Sequence, residues 1–261
     1  MNKREGELRY AQVLHVPING IAATKAKILA ALRSIDFVGW STHEESGRLD
    51  RKAYTRFAIG QASIFSRREM EEADTAAVSI LVDCSFSMNF DETPRIRTAQ
   101  SIAIHLASII GKSNAAFAVN GFHGSNKKEV KDGVVVQIQG VTFIPFKQWN
   151  ESIQKAAPKL GLMEKFASGG TPDYSAIHDK LDELARRPEA RKVFFLITDA
   201  EAYKVDHMKF LQEFADKRGI KIVAIGIGDT QVTKCFRNAD NVFTPQDMAS
   251  KSFGNILKAI A

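Results

Sequence analysis

Two stretches of this chain constrain its fold more than anything else in it: AAVSILVD at residues 76–83 and RKVFFLITD at residues 191–199. Each is a short apolar run that stops abruptly at a carboxylate. A strand with one wet face alternates apolar and polar residues, whereas a run apolar throughout has to be covered on both sides. A third run, KIVAIGIGD at 221–229, has the same form. Between these runs lie segments with helical spacing: 95–111, opened by Pro94 and closed by a glycine, then 173–187 and 206–218. Buried strands alternating with helices predict an α/β fold, doubly wound, with a mostly parallel central sheet flanked by helices. Further strands are expected at 115–122, within 133–146 after a turn rich in Lys, Asn and Asp, and at 241–243. Further helices are expected at 149–157 and 246–260, the latter with Met248, Phe253, Ile256, Leu257 and Ile260 toward one face.

Residues 1–75 follow a different pattern and are expected to be a helical extension and linker ahead of a domain at 76–261. One helix is predicted over 22–32 and a second over 49–65, where Leu49, Ala53, Phe57 and Ile64 share a face. The run Arg67, Arg68, Glu69, Glu71, Glu72 and Asp74 reads as a charged linker.

Composition narrows the function classes. With 44% hydrophobic and 25% charged residues the chain has the make-up of a folded globular protein, which excludes a disordered one. No apolar run approaches the roughly 20 residues a membrane-spanning helix needs, and MNKREGELRY lacks the apolar stretch of a secretory signal. No membrane association and a cytoplasmic location are the expectation. Two cysteines, Cys84 and Cys235, are too few for a disulfide framework or a four-thiolate zinc site. The net charge of +6 is scattered, without a basic run or interleaved aromatic and basic residues, so nucleic acid is not the expected partner.

The chemistry gathers at strand ends. In doubly wound sheets, ligands bind outside the carboxyl ends of the strands. The run at 76–83 leads into Asp83-Cys84-Ser85-Phe86-Ser87. Ser168-Gly169-Gly170-Thr171-Pro172 precedes a helix, and Ile197-Thr198-Asp199 ends the next buried strand. Asp83, Asp199, Ser85, Ser87 and Thr171 in these loops offer two carboxylates and three hydroxyls. Oxygen-only donors suit hard cations, magnesium first, with manganese or calcium behind it. Hydroxyl donors are neutral and leave the ion much of its charge, and six-fold coordination cannot close here without water. Such an ion attracts an acidic side chain from another molecule.

This set resembles the metal-ion-dependent adhesion site of von Willebrand factor A (VWA) domains, over residues 76–261. The resemblance implies that Ser85 and Ser87 coordinate directly, Thr171 directly or through water according to state, and Asp83 and Asp199 mainly through water or from behind the ligands. Phe86 stands where glycine is usual and Ala200 follows Asp199 where glycine is usual, but neither removes an oxygen donor.

Upstream, Gly47-Arg48-Leu49-Asp50-Arg51, Phe65 and the charged bridge into VSILVD are similar to the C-terminal part of CobT, the VWA subunit of aerobic cobalt chelatase. That similarity spans residues 47–261. It implies an adaptor that works beside an AAA+ ATPase of the CobS/MoxR type and is not itself catalytic. The chain has no G-x-x-x-x-G-K-[ST] phosphate loop of its own. The alternatives are a nucleic-acid-associated VWA protein and a metal-dependent hydrolase. The six dispersed histidines and a Cys84 expected to pack inertly supply no evident catalyst for the second.

Overall fold

The computed structural model describes residues 2–16, 18, 21–32, 34–44, 46–50, 65–73, 76–89, 95–131, 134–199, 204–228, 230–250, 254 and 257. Every residue of Ala76–Asp83 is buried, as a strand covered on both faces requires. This strand, β4, lies inside a six-stranded sheet with Ala116–Lys131 (β5), Val134–Lys147 (β6), Arg191–Thr198 (β7), Ile220–Ile227 (β8) and Ala239–Val242 (β9). The spatial order is β6-β5-β4-β7-β8-β9. All neighbours are parallel except the β5–β6 hairpin. The chain therefore leaves β4 toward one edge and returns to build the other side from β7. That reversal opens a crevice at the carboxyl end of β4, between β5 and β7.

Side chains alternating along the strands feed two cores. On one face Val78, Ile80 and Val82 pack with Val193, Phe195 and Ile197 against the helix Arg95–Ile110 (α3). On the other, Ala77 and Leu81 join Phe194 and Leu196 against Asp173–Ala185 (α5) and Val205–Asp216 (α6). The α3 helix is buried almost all round, its polar Gln100 donating to the Leu160 carbonyl at 2.8 Å and His105 Nδ1 meeting the Ser101 carbonyl at 2.8 Å. Its outer side is covered by Lys3–His15 (α1), Ile21–Leu32 (α2) and Ile153–Gly161 (α4). The short helix Val232–Cys235 (α7) completes the second layer. No described helix is long and apolar enough to cross a membrane.

The chain divides into two compact units, Met1–Leu32 with Thr75–Ala261, and Arg33–Asp74. This corrects the expected partition at residue 75. The first two helices belong to the larger unit, because Tyr10, Val13, Ile18, Ile28 and Leu32 bury against its core. The smaller unit is a three-stranded antiparallel sheet in which Ser34–Glu44 (β1) and Arg48–Leu49 (β2) flank Phe65–Ala73 (β3). The charged run expected as a linker is β3, because its backbone pairs with β1 from Ser34↔Ala73 to Glu44↔Phe65. The helix expected over 49–65 falls largely outside the described residues, and its two ends are strand.

In the larger unit, the expected Lys-, Asn- and Asp-rich turn is strand as well. Beyond Phe122 the β5 strand runs on to Lys131, paired with β6. The helix expected from 149 begins at Ile153, with Ser152 as N-cap. Pro245–Ala249 is a 3-10 turn, and beyond Ser250 only Gly254 and Leu257 of the expected terminal helix are described, both helical.

Candidate metal centre

At the end of β4 the backbone N–H of Cys84 still donates to the Phe122 carbonyl at 2.8 Å, the last rung shared with β5. The chain then turns. Asp83 Oδ1 accepts from the Ser85 N–H at 2.8 Å, a side-chain-to-backbone turn that aspartate makes readily. Phe86–Asn89 continues as one 3-10 turn, anchored by the fully buried Met88. The turn brings the Ser85 and Ser87 hydroxyls to the same point, with oxygens 3.0 Å apart. Adjacent ligands of an octahedral magnesium with bonds of about 2.1 Å would also be roughly 3 Å apart. Phe86, between them, is 57% exposed.

The glycine loop is fastened against this turn. Ser168 N–H donates to the Cys84 carbonyl (2.9 Å), Phe86 N–H to the Gly169 carbonyl (3.0 Å), and Gly124 N–H to the Gly170 carbonyl (2.6 Å). Gly169 has φ +70°, and a Cβ there would lie 2.1 Å from the Gly124 carbonyl oxygen. Glycine is therefore required for the loop to lie this close, and the loop leads directly into Thr171 at the start of α5.

Behind the hydroxyls sit two carboxylates shut away from water. Asp83 is 0% and Asp199 1% exposed. Thr198, the last residue of β7, donates its hydroxyl to Asp83 Oδ2 at 2.9 Å, and Arg95 Nη1 stands 3.5 Å from Asp199 Oδ2. Burial, and then the charge of Asp199, push the Asp83 carboxyl up to about 7, against the hydrogen bonds from Ser85 and Thr198. Two carboxylates competing to stay charged in a dry place are what a divalent cation relieves. Among the described residues no three His, Cys, Asp or Glu side chains converge. A cation at this edge would therefore lean on hydroxyls, as the donor set predicts. Cys84 is buried, and burial with the Asp83 charge raises its thiol far from the reactive range.

The structure thus brings four of the five predicted residues, Asp83, Ser85, Ser87 and Asp199, to one sheet edge, and fastens the loop carrying Thr171 beside them. The threonine itself is half-buried. Sequence reasoning named Thr198 only as a strand end and Arg95 only as a helix start. Both act across more than a hundred residues, where spacing carries no signal.

No protein-family model and no curated protein matches the chain. Solved structures do. The manganese-loaded TRAP protein of Plasmodium vivax aligns with a TM-score of 0.50 and 13% identity, covering 70% of this chain and 73% of that one. The fold is that of a VWA domain. The conserved hypothetical protein BatB from Bacteroides thetaiotaomicron (TM-score 0.47, 15% identity) covers 71% of this chain and 98% of its own. Proximal thread matrix protein 1 from the mussel byssus, with a zinc-occupied MIDAS motif, reaches 0.49 and 15%, over 71% of this chain and 47% of that one. At these identities the likeness concerns the VWA fold.

Proposed function

We propose that this VWA domain is a metal-dependent protein-interaction module that holds an acidic group of its partner through a divalent cation, magnesium first. Ser85, Ser87 and Thr171 would hold the ion, with Asp83 and Asp199 behind them. The observation that carries the reading is the pair of buried carboxylates set behind two hydroxyls 3.0 Å apart, at the point where the sheet reverses. The bound ion would supply an electrophilic centre with a replaceable water.

The chain's own groups do the rest. Asp83 fixes the turn through the Ser85 N–H and is itself fixed by Thr198, so the hydroxyl pair is oriented before any ligand arrives. Phe86 offers an exposed aromatic surface beside the pair, suited to an apolar neighbour of the partner's acidic residue. A catalytic role finds little support here, because Cys84 is buried and its thiol is held protonated.

The finer part of the proposal is the partner, an AAA+ ATPase of the CobS/MoxR type. Its support is the resemblance of Gly47-Arg48-Leu49-Asp50-Arg51 and the D-x-S-x-S setting to those of CobT. The test uses the immobilised chain and a purified MoxR-type ATPase from the same organism. Capture is expected in magnesium, should vanish with EDTA, return when magnesium is restored, and be lost in Asp83→Ala. Capture indifferent to both treatments would show that the metal site is not the grip.

A further inference from the structure

Asn120 interrupts an apolar face. On β5 it lies between Ala118 and Phe122, and its cross-strand neighbours are Leu81 on β4 and Pro145 on β6. It is 7% exposed. Its side-chain amide makes no hydrogen bond among the described residues. Proline has no N–H, so Pro145 has no donor for it. The pairing is irregular at this point: Val119 faces Lys147 and Asn120 faces Pro145, which leaves Phe146 as an extra residue on β6. Irregularities of this kind re-aim the side chains beside them. The amide of Asn120 opens onto a cavity of about 350 Å³ walled by β5, β6, residues 148–150 and α5. Ala118 and Asn120 pair with Ser79 and Leu81, so the cavity opens before the strand ends that carry the metal centre.

The charged walls of this cavity are already engaged. Lys180 Nζ donates to Glu183 Oε2 at 2.6 Å, and Glu183 Oε1 accepts from Trp149 Nε1 at 2.6 Å. Lys147 Nζ donates to the carbonyls of Phe117 (2.5 Å) and Gln148 (3.1 Å). Next to these, Glu151 pairs with Lys159 and Arg187 with Glu189. What is left unanswered is neutral, the adjacent acceptor and donor of the Asn120 amide. Trp149 adds a flat wall that is held in place, because Glu183 ties its Nε1 and Arg187 lies over the ring at 4.7 Å. The amide calls for a ligand edge with a donor beside an acceptor, and the fixed ring calls for a planar partner. Adenine has both: asparagine meets its N6 and N7 with two hydrogen bonds, and a base stacks on an aromatic side chain without any need of charge. The volume lies in the range of small-molecule sites and has room for a nucleoside. Gln148 and Asn150 are exposed, and their amides suit the hydroxyls of a ribose at the mouth. We propose that this cavity is a binding site for an adenine nucleoside, with Asn120 reading the edge of the base and Trp149 carrying its face.

The experiment titrates the full chain with adenosine by calorimetry, in EDTA so that the metal centre takes no part. Saturation-transfer NMR shows which protons of the nucleoside touch the protein. Adenosine should bind with a Kd on the order of 0.1 mM, with transfer strongest to the base protons. Asn120→Ala, and Asn120→Asp, which keeps the shape but loses the donor, should each weaken it about tenfold. Trp149→Leu should weaken it about tenfold as well, for the lost stacking. Thermal melting checks that each variant is folded. N6,N6-dimethyladenosine, whose amino group cannot donate, should bind the parent about tenfold more weakly, a comparison that needs no variant. No binding of adenosine at millimolar concentration overturns the site. So does binding that Asn120→Ala and the dimethyl compound leave unchanged, because the edge is then not read. Ribose bound as well as adenosine would make it a sugar site instead. Adenosine monophosphate bound far more tightly than adenosine, with the gain lost in salt, would make it an anion site held by the lysines, which equally overturns the proposal.

Discussion

Asp83 carries its charge where the fold leaves it least water, and that has a measurable sign. Its carboxyl titrates near 7 in the folded chain, because burial and then Asp199 disfavour the charged form. Unfolded, it titrates near 3.9. Between those values the native state keeps a proton that the unfolded chain has lost, so metal-free stability falls as pH rises through this interval and levels off above it. The effect is on the order of a few kcal/mol. Melting in EDTA from pH 4.5 to 8 should show the decline. Asp83→Asn, which keeps the shape without the charge, should flatten it and melt higher than the parent above pH 7. Magnesium should raise the melting temperature of the parent above pH 7 and leave Asp83→Asn unmoved. A parent curve no steeper than that of the variant would show that Asp83 is not the group responsible. At this scale Asp83, Ser85 and Ser87 were legible in the sequence because five consecutive residues carry them at a strand end. Thr198 and Arg95 were not, because what they touch is set by strand register and by a helix start brought against a different strand.

Among the elements, the loop at 168–171 gives the centre its shape. Three backbone hydrogen bonds tie it to the D-x-S-x-S turn and to β5, and Gly169 makes them possible by lying in the left-handed region 2.1 Å, in Cβ terms, from the Gly124 carbonyl. Gly169→Ala should therefore cost more than backbone strain alone. Gly219 provides the comparison: its φ is +67°, and a Cβ there meets nothing within 4 Å. Gly219→Ala should destabilise by about 1 kcal/mol, the cost of the left-handed conformation. Gly169→Ala should cost at least about twice that by urea melting and weaken manganese binding about tenfold, by displacing Thr171. Equal costs at the two positions, with manganese binding intact, would mean that the loop yields easily and does not position Thr171. Elements buried on both faces were legible for a simple reason: an unbroken apolar run between turn signals has few alternatives. The far half of the β5–β6 hairpin and β3 were missed because their order comes from pairing with a partner strand, and charged residues pair their backbones as well as any.

At the scale of the whole molecule, the N-terminal helix is built into the domain by a close crossing. Gly6 of α1 and Gly161 of α4 lie back to back: a Cβ on Gly6 would fall 2.1 Å from the Pro158 carbonyl oxygen, and one on Gly161 would fall 2.0 Å from that of Gly6. The approach lets Tyr10 and Val13 reach the core. Around it run ion pairs, Lys165 with Glu5 at 2.7 Å and Glu164 with both Arg9 and Arg97. Exposed pairs of this kind contribute little, so close packing is what holds α1 in place. The sequence pointed to a separate extension because residues 1–75 lack the strand–helix alternation that begins at Ala76, and the use of Gly6 and Gly161 as contact points appears only once the second helix is in place. Gly161→Val should separate the helices. Trypsin would then cut at Lys3, Arg4 or Arg9 at least tenfold faster than in the parent, and the domain should melt about 2–4 kcal/mol less stably for the apolar surface uncovered. Manganese binding should stay within about twofold of the parent, because β4, β5 and the 168–171 loop hold the hydroxyls without help from α1. Unchanged proteolysis would show that the glycine crossing is not what docks the helix. Manganese binding lost along with it would show that α1 supports the metal edge as well as the core.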